Sequence, residues 1–316
     1  MKVSIIGGAG LVGSSAAFAL QCGKVVRELA LIDVNADAAD GQAIDIMHGG
    51  PSVADQIVTG GSSYAHVASS DVICITAGLR RKPDESRLDL INRNTDLFVG
   101  ILNEINKVGV KKDAIVLVVS NPVDILTYVA ADRLNLPASQ VLGLGTQLDT
   151  IRFRSLIAQK LNAAPTQVNA LILGEHGDSM IPVWSSATIG GLPLDKFPGW
   201  SVKLADELFT RAKTSGAEML KKKGGAGFAV GIAIRDVIEA IALDQRRVMP
   251  VSSVQNGCYD IRDVAISVPT IVGRAGVVGV YPIELWPKEV QGLRKSASVL
   301  KQTQDTVISR IGKMKK

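Results

Sequence analysis

One of the three histidines in the chain, His176, lies between two carboxylates and two glycines in the segment 174–178. The apolar run 170–173 before it predicts a buried strand, and a strand that opens into a flexible turn can present a side chain to a substrate. Histidine exchanges protons near neutral pH, so His176 is a candidate general acid or base. A solvent-exposed histidine in a polar turn is the alternative, and this alternative is favoured while the segment is considered alone.

A glycine-rich motif near the start of the chain predicts a dinucleotide site. Residues 3–7 predict a strand and residues 14–21 a helix, with G-x-G-x-x-G between them. In this pattern Gly8 permits a tight turn, Gly10 allows the close approach of a pyrophosphate, and Gly13 lets the helix pack on the strand. The free N–H groups at the start of the helix then face the phosphates.

Asp33 makes this motif more specific. It ends the next predicted strand, residues 29–32, about twenty residues after Gly13. A carboxylate at this distance accepts hydrogen bonds from the ribose hydroxyls and repels a 2′-phosphate, which favours NAD over NADP. Glycines that serve only a tight turn are the less favoured alternative.

Two further segments suit the binding of an anionic substrate. Residues 79–87 contain four cations without apolar periodicity, which predicts either a solvated basic loop or a mobile lid that brings arginines to a carboxylate. The strand predicted at 114–119 runs into Asn121, and Pro122 forces an extended backbone there. The amide of Asn121 is therefore expected at the carboxyl end of a strand.

The composition fits an α/β enzyme and excludes several other classes. Of 316 residues, 47% are hydrophobic and 21% are charged, which favours buried parallel strands alternating with helices in two domains. The net charge of +5 owes much to lysines at 221–223 and 313–316 without nearby aromatic platforms, so no nucleic-acid partner is expected. No apolar run approaches the roughly 18 residues that span a bilayer. With no signal-peptide pattern and three scattered cysteines, we expect a cytoplasmic protein.

The order of these motifs is similar to that of the L-lactate/malate dehydrogenase family. The matching segments are Gly8 to Gly13, Asp33, Thr76 to Gly78, Ser86-Arg87, Ser120 to Asp124, Leu148 to Arg154 and Gly174 to Ser179. The resemblance covers essentially the whole chain. It implies an α/β protein with an N-terminal Rossmann domain (a doubly wound parallel sheet, residues 1–143) and a C-terminal α+β catalytic domain (residues 144–316). It also implies NAD-linked oxidation of a 2-hydroxy acid without a metal ion.

The resemblance assigns roles to individual residues. His176 looks like the proton acceptor, and Asp149 like the carboxylate that orients its ring and raises its pKa. Arg152 resembles the arginine that binds the substrate carboxylate, although Asp149 and Arg152 alone would pass for an ordinary i,i+3 helix pair. Arg87 resembles the lid arginine that polarises the reacting carbonyl, and Asn121 the residue that hydrogen-bonds its oxygen. The cofactor is expected to contact Gly8, Ala9, Gly10, Leu11, Val12, Gly13, Asp33, Thr76, Ala77, Gly78, Asn94, Val119, Ser120 and Asn121.

Within this family, Arg81 favours L-malate as the substrate. Malate-type members typically carry Arg before Lys-Pro, where lactate types carry Gln, and Ala226 matches a small residue of the malate types. Oxaloacetate would pair its second carboxylate with Arg81, whereas pyruvate would leave that cation unpaired at a cost of about 2–5 kcal/mol. Arg80 and Asp84 depart from the malate pattern, so Arg80 could take the role of Arg81. The prediction is an NAD-dependent malate dehydrogenase of the tricarboxylic acid cycle; the alternatives are an L-lactate dehydrogenase and a non-catalytic NAD-binding sensor.

The family likeness also implies a homo-oligomer, with a tetramer favoured over a dimer. A helix predicted at 36–48 is rich in small and apolar residues and offers a face for such an interface.

The role of His176 leads to a first test. The variant His176→Asn should bind NADH as the wild type does and lose turnover, because asparagine cannot exchange a proton near neutral pH. Fluorescence titration with NADH and initial-rate assays measure the two properties separately. Turnover near the wild-type level would show that the base is assigned wrongly.

Overall fold

A computed structural model describes residues 1–79 and 84–312, with only the main chain of Arg87. The predicted substrate residue Arg81, together with Arg80, lies outside the described residues. Strands in the N-terminal half are β1 (Lys2–Ile6), β2 (Glu28–Ile32), β3 (Ile57–Gly61), β4 (Val72–Ile75), β5 (Ile115–Val118) and β6 (Val141–Gly143). Helices there are α1 (Leu11–Gly23), α2 (Ala36–His48), α3 (Gly50–Val53), α4 (Arg87–Val108) and α5 (Val123–Arg133).

The second half continues in the same way. Its helices are α6 (Gln147–Leu161), α7 (Val202–Lys223), α8 (Phe228–Ala242) and α9 (Pro287–Ile311). Its strands are β7 (Val168–Leu173), β8 (Ile181–Ile189), β9 (Leu192–Pro193), β10 (Arg247–Asn256), β11 (Arg262–Gly273) and β12 (Gly276–Val280).

Six parallel strands form the doubly wound sheet expected from the sequence. Their order is β6-β5-β4-β1-β2-β3, so the chain turns away in opposite directions from the neighbouring strands β1 and β4. Almost every side chain of β1, β4 and β5 is buried, because helices cover both faces of the sheet. A crevice opens beyond the carboxyl ends of β1 and β4, where such sheets bind ligands.

The sheet does not end with the parallel strands. The antiparallel strands β10, β11 and β12 continue it, with Ser252 of β10 opposite Gly143 of β6. Strands β7, β8 and β9 form a separate antiparallel sheet. A pair of main-chain hydrogen bonds between Gly174 and Ser267 connects the end of β7 to β11.

Helix α8 of the second half packs directly on α1 of the first. The contact depends on glycine: a Cβ atom at Gly231 would lie 2.6 Å from the carbonyl oxygen of Ser15. A Cβ atom at Gly227 would lie 2.8 Å from the Ser15 hydroxyl. The two halves are therefore connected both edge to edge in the sheet and helix to helix. Among the described residues, no helix is both long and apolar enough to cross a bilayer.

Candidate active site

A cleft of about 1190 Å³ lies at the carboxyl end of the parallel sheet and collects residues from both halves of the chain. It is lined by the loop after β1, the segments that follow β4 and β5, helix α6 and the loop after β7. The predicted site residues that line it are Gly10, Leu11, Val12, Gly13, Thr76, Gly78, Asn94, Val119, Ser120, Asn121, Asp149, Arg152, His176 and Ala226. Gly8, Ala9, Asp33 and Ala77 adjoin the cleft without lining it.

The glycine-rich loop has the tight geometry that the sequence predicted, but the tight turn lies at Gly7 and not at Gly8. The left-handed backbone conformation occurs at Gly7, with φ of +91°, rather than at Gly8. Gly8 instead packs against β2, where a Cβ atom would lie 2.8 Å from the Cα atom of Leu31. At Gly13 a Cβ atom would lie 2.2 Å from the carbonyl oxygen of Gly7, so only glycine allows α1 to begin this close to β1.

This loop fits the pyrophosphate of a dinucleotide. Gly10 precedes the first residue of α1 and places no side chain between the helix N-terminus and the cleft. The N–H groups of the first helical turn have no intrahelical partner and bind anions readily. The carboxylate of Asp33, at the end of β2, accepts a hydrogen bond from the N–H of Ala9 (3.1 Å), which holds it beside the loop.

Hydrogen bonds also fix the segments after β4 and β5. The Thr76 hydroxyl donates to the carbonyl oxygens of Ile6 and Gly7, and the Ser120 hydroxyl donates to that of Ala77 (2.6 Å). These contacts hold the ends of β1, β4 and β5 together.

Asn94 holds the start of the predicted lid. Its side chain accepts from the N–H of Leu79 at 2.7 Å and donates to the Leu79 carbonyl at 3.3 Å. Asn94 therefore fixes the main chain just before residue 80, in addition to lining the cleft. Asn121 is exposed at the carboxyl end of β5 and lines the cleft.

Three charged side chains meet in the second half of the cleft. Nδ1 of His176 lies 2.5 Å from Oδ2 of Asp149, and Nη1 of Arg152 lies 3.2 Å from Oδ1 of the same carboxylate. Asp149 is 1% exposed. It lies in the first turn of α6, where the helix dipole stabilises a negative charge. Asp149 and Arg152 are thus more than an i,i+3 helix pair, because the same carboxylate also contacts His176.

The electrostatics of this cluster favour an imidazolium. Burial lowers the pKa of His176, but the charge and hydrogen bond of Asp149 outweigh it and raise that pKa above its ordinary value. Burial raises the pKa of Asp149, and the charges of His176 and Arg152 more than reverse this, so that pKa is lowered. The stability that His176 gains is therefore present below pH 6.5 and is lost as the pH rises through its raised pKa.

The loop that carries His176, residues 174–179, is held from several sides. Gly174 has φ of +94°, and a Cβ atom there would lie 2.8 Å from the Ser296 hydroxyl of α9. The same hydroxyl accepts a hydrogen bond from the N–H of Glu175 (2.9 Å). The carboxylate of Glu175 accepts from both the N–H and the hydroxyl of Ser179, which closes the loop on itself.

Sequence reasoning missed the contribution of α7 and α9 to the cleft. Lys213 and Gly216 of α7 line it, and Lys213 donates a hydrogen bond to the carbonyl oxygen of Asp178 (2.5 Å). Val299 and Thr303 line it from α9. The amphipathic pattern of these helices signals only packing, so no feature of the sequence singled these residues out.

Comparisons with known proteins match nearly the whole chain. Residues 1–143 match the family model of the lactate/malate dehydrogenase NAD binding domain, and residues 146–311 match that of the alpha/beta C-terminal domain. The L-lactate dehydrogenase of Kosmotoga olearia is 39% identical over 315 residues, which cover 98% of this chain and 97% of that protein. The L-lactate dehydrogenase of a Synechococcus strain is 40% identical over 308 residues, with 97% and 99% covered.

A solved structure that is similar to this chain is also that of an L-lactate dehydrogenase. The crystal structure of the minor L-lactate dehydrogenase from Enterococcus mundtii, in its ligands-bound form, matches with a TM-score of 0.92 and 36% sequence identity. It covers 97% of this chain and 98% of that one. The prediction of an α/β protein with an N-terminal Rossmann domain and a C-terminal α+β domain is confirmed, as is NAD as the cofactor.

The prediction of L-malate as the substrate, and with it a place in the tricarboxylic acid cycle, is wrong. The two relatives and the solved structure are named L-lactate dehydrogenases, and each matches this chain over nearly its whole length. The malate interpretation depended on the charge of Arg81, which lies outside the described residues, and on the small size of Ala226. Ala226 lines the cleft, but a small side chain there admits the smaller acid as readily as the larger one.

The pairing of His176 with Asp149 predicts a titration result. In Asp149→Asn the pKa of His176 should fall by about 1–2 units, because the nearby negative charge that stabilises the imidazolium is lost. Selective isotope labelling of histidine with NMR titration measures this directly, since the chain has only three histidines. The resonances of His48 and His66 serve as internal controls. An unchanged His176 titration would contradict the assigned pairing.

Proposed function

Because this chain is a member of the lactate/malate dehydrogenase family, we propose that it is an L-lactate dehydrogenase, which interconverts L-lactate and pyruvate with NAD. The observation that carries the proposal is the cluster of His176, Asp149 and Arg152, which lies in the same cleft as the glycine-rich loop. The names of the relatives support the choice of acid. We also propose that the chain divides after residue 143, at the end of β6, into the NAD-binding domain and the catalytic domain.

His176 is the acid and base in this proposal. Its Nδ1 atom is held by Asp149, so Nε2 is the ring atom left to meet the substrate. When lactate is oxidised, Nε2 accepts the hydroxyl proton while the carbon–hydrogen bond at C2 breaks. When pyruvate is reduced, the imidazolium returns that proton to the oxygen. Asp149 stabilises the imidazolium in both directions and fixes the ring orientation.

Arginine and asparagine side chains position the acid. The planar guanidinium of Arg152 suits bidentate binding of the substrate carboxylate, and its contact with Asp149 Oδ1 fixes it next to the histidine. Arg87 at the start of α4 and Asn121 after β5 are proposed to contact the reacting oxygen, where developing negative charge is stabilised best once water is excluded. That Arg81 and Ala226 face the far end of the substrate stays a prediction.

NAD fits the first half of the cleft. The loop of Gly8 to Gly13 and the N-terminus of α1 would hold its phosphates, and Asp33 its ribose hydroxyls. Thr76 to Gly78, Asn94 and the segment 119–121 would line the remainder of its site. When bound, NAD supplies the hydride acceptor for lactate and NADH the hydride donor for pyruvate. The residues of this chain orient the acid, exclude water and move the proton.

Substrate preference tests the proposal. Initial rates of NADH oxidation should be substantially higher with pyruvate than with oxaloacetate, and kcat/KM for pyruvate should fall by about 100-fold or more in Arg152→Leu, because a buried charge-assisted contact is lost. Arg154→Leu is the matched control, since Arg154 lies on the same helix and does not line the cleft.

Two other outcomes of this experiment would overturn the proposal. A preference for oxaloacetate of 100-fold or more would exclude the lactate assignment. Binding of NADH without turnover of either acid would favour a cofactor-binding sensor instead.

A homo-oligomer is also part of the proposal, with a tetramer favoured and a dimer as the alternative. Ile44 and Met47 on α2 are 43% and 46% exposed, and one face of that helix therefore presents apolar side chains to solvent. Apolar surface of this kind is typical of an interface between subunits. A cytoplasmic location stays a prediction.

The exposed face of α2 gives a test of assembly. The double variant Ile44→Glu and Met47→Glu should reduce the molar mass measured by light scattering during size-exclusion chromatography, because burying two carboxylates opposes association. Val202→Glu, at an exposed apolar position of α7, is the matched control and should keep the wild-type mass. A double variant that keeps the wild-type mass would exclude this face as an interface.

A further inference from the structure

Asp124 lies behind the loop that carries His176 and has no role in the function proposed above. It is the second residue of α5 and comes three positions after Asn121. Its side chain is 2% exposed, and its Oδ2 atom accepts a hydrogen bond from the main-chain N–H of His176 at 2.8 Å. A carboxylate from the NAD-binding half of the chain is therefore attached directly to the backbone of the proposed acid–base residue.

Charged and polar groups around Asp124 affect its pKa, and one of them is the ring of His176. His176 and Glu175 face it from the loop, and the Ser252 hydroxyl faces it from β10. Burial raises the pKa of Asp124 to about 6, while Ser252 and His176 act to lower it and Glu175 to raise it. In return, the negative charge of Asp124 raises the pKa of His176, after the larger effect of Asp149.

This carboxylate carries a cost in stability. Within the described part of the chain, no hydrogen bond of good geometry reaches its buried Oδ1 atom, although the Ser252 hydroxyl lies near enough to lower the pKa of the carboxyl group. Buried polar atoms are rarely left unpaired, and a pKa raised by burial means that the ionised form is less stable in the folded chain than in the unfolded one. An asparagine of the same shape could accept the same N–H without the charge. The charge itself therefore requires an explanation other than stability.

We propose that Asp124 is a positioning residue for proton transfer: its carboxylate fixes the main chain of His176 and supplies a second negative charge that stabilises the imidazolium. Asp149 holds the ring from α6, and Asp124 holds the backbone from α5. The inference rests on the proposed function, because it concerns the proton that His176 exchanges with the hydroxyl oxygen of the substrate.

Asp124 also lies close in sequence to Asn121, which is proposed to contact the substrate. Asn121, proposed to contact the reacting oxygen, precedes α5 by two residues, and Asp124 lies in the first turn of that helix. The contact from Asp124 to the N–H of His176 therefore fixes the distance between the segment after β5 and the loop after β7. The N-terminal end of α5 also stabilises the carboxylate through its helix dipole.

The variant Asp124→Asn tests the proposal, with Thr127→Val on the same helix as the matched control. Thr127 is buried one turn along, and its hydroxyl donates to the Val123 carbonyl within the same helix. In Asp124→Asn the pKa of His176, followed by histidine-selective NMR, should fall by about 0.5–1 unit. Pyruvate reduction should then fall by about 3- to 10-fold at pH 8, where protonated histidine limits the rate, and less at pH 6.

The same variant should keep its melting temperature or raise it, because a buried charge is removed. Thr127→Val should leave the His176 titration and the shape of the pH–rate profile unchanged. If Asp124→Asn does not fold, Asp124→Ser is used, since it removes the charge and keeps a hydrogen-bond acceptor at this position.

An unchanged His176 pKa, with activity lost by the same factor at every pH, would overturn the proposal and leave Asp124 a structural residue. The NMR titration needs no substrate, so its result is independent of the substrate assignment. Absence of turnover with pyruvate in the wild type would count against the proposed function and would leave the titration as a separate test of the contact.

Discussion

The short contact between His176 and Asp149 is the interaction on which the arrangement of the cleft depends. The two residues come from different elements, the loop after β7 and the first turn of α6, and their 2.5 Å contact forms only when both elements are correctly placed. Thr146 helps to place them, since its N–H donates to the Ser267 hydroxyl and its own hydroxyl donates to the Ile172 carbonyl. The pair is thus supported by α6, β7 and β11 together.

The loop of residues 174–179 shows how a flexible segment is made rigid. Its main chain is held by the Ser296 hydroxyl of α9, by Asp124 of α5 and by Ser267 of β11. Each of these contacts pairs a main-chain group of a half-buried turn that the loop itself leaves without a partner. The Ser296 hydroxyl and the Asp124 carboxylate thus replace hydrogen bonds that water would otherwise make to these N–H groups. A rigid proton-exchanging group is the result, since the backbone that carries His176 has few other arrangements available.

The sequence predicts the parallel half of the fold well because its signals are local. Apolar runs, the glycine motif and Asp33 each report on a few neighbouring residues, and β1, α1 and β2 follow from them. The family resemblance brought Asp149 and Arg152 to the histidine; spacing alone could not, because the contact joins residues 27 positions apart. The sequence did not predict the contacts of Asp124, Ser296 and Lys213 with the loop of residues 174–179. Each of these residues lies on a helix, and its partner is distant in sequence. The substrate prediction was wrong because it depended mainly on the charge of Arg81. The relatives that match nearly the whole chain are named L-lactate dehydrogenases.

The continuation of the parallel sheet into β10, β11 and β12 has a mechanical consequence. Many two-domain enzymes close on their ligands by rotating one domain about a flexible linker. Here such a rotation would have to separate Ser252 from Gly143 at the edge of β6 and pull α8 away from the glycine contacts on α1. The walls of the cleft therefore belong to one connected framework, because the sheet edge and the α1–α8 contact both join the two halves.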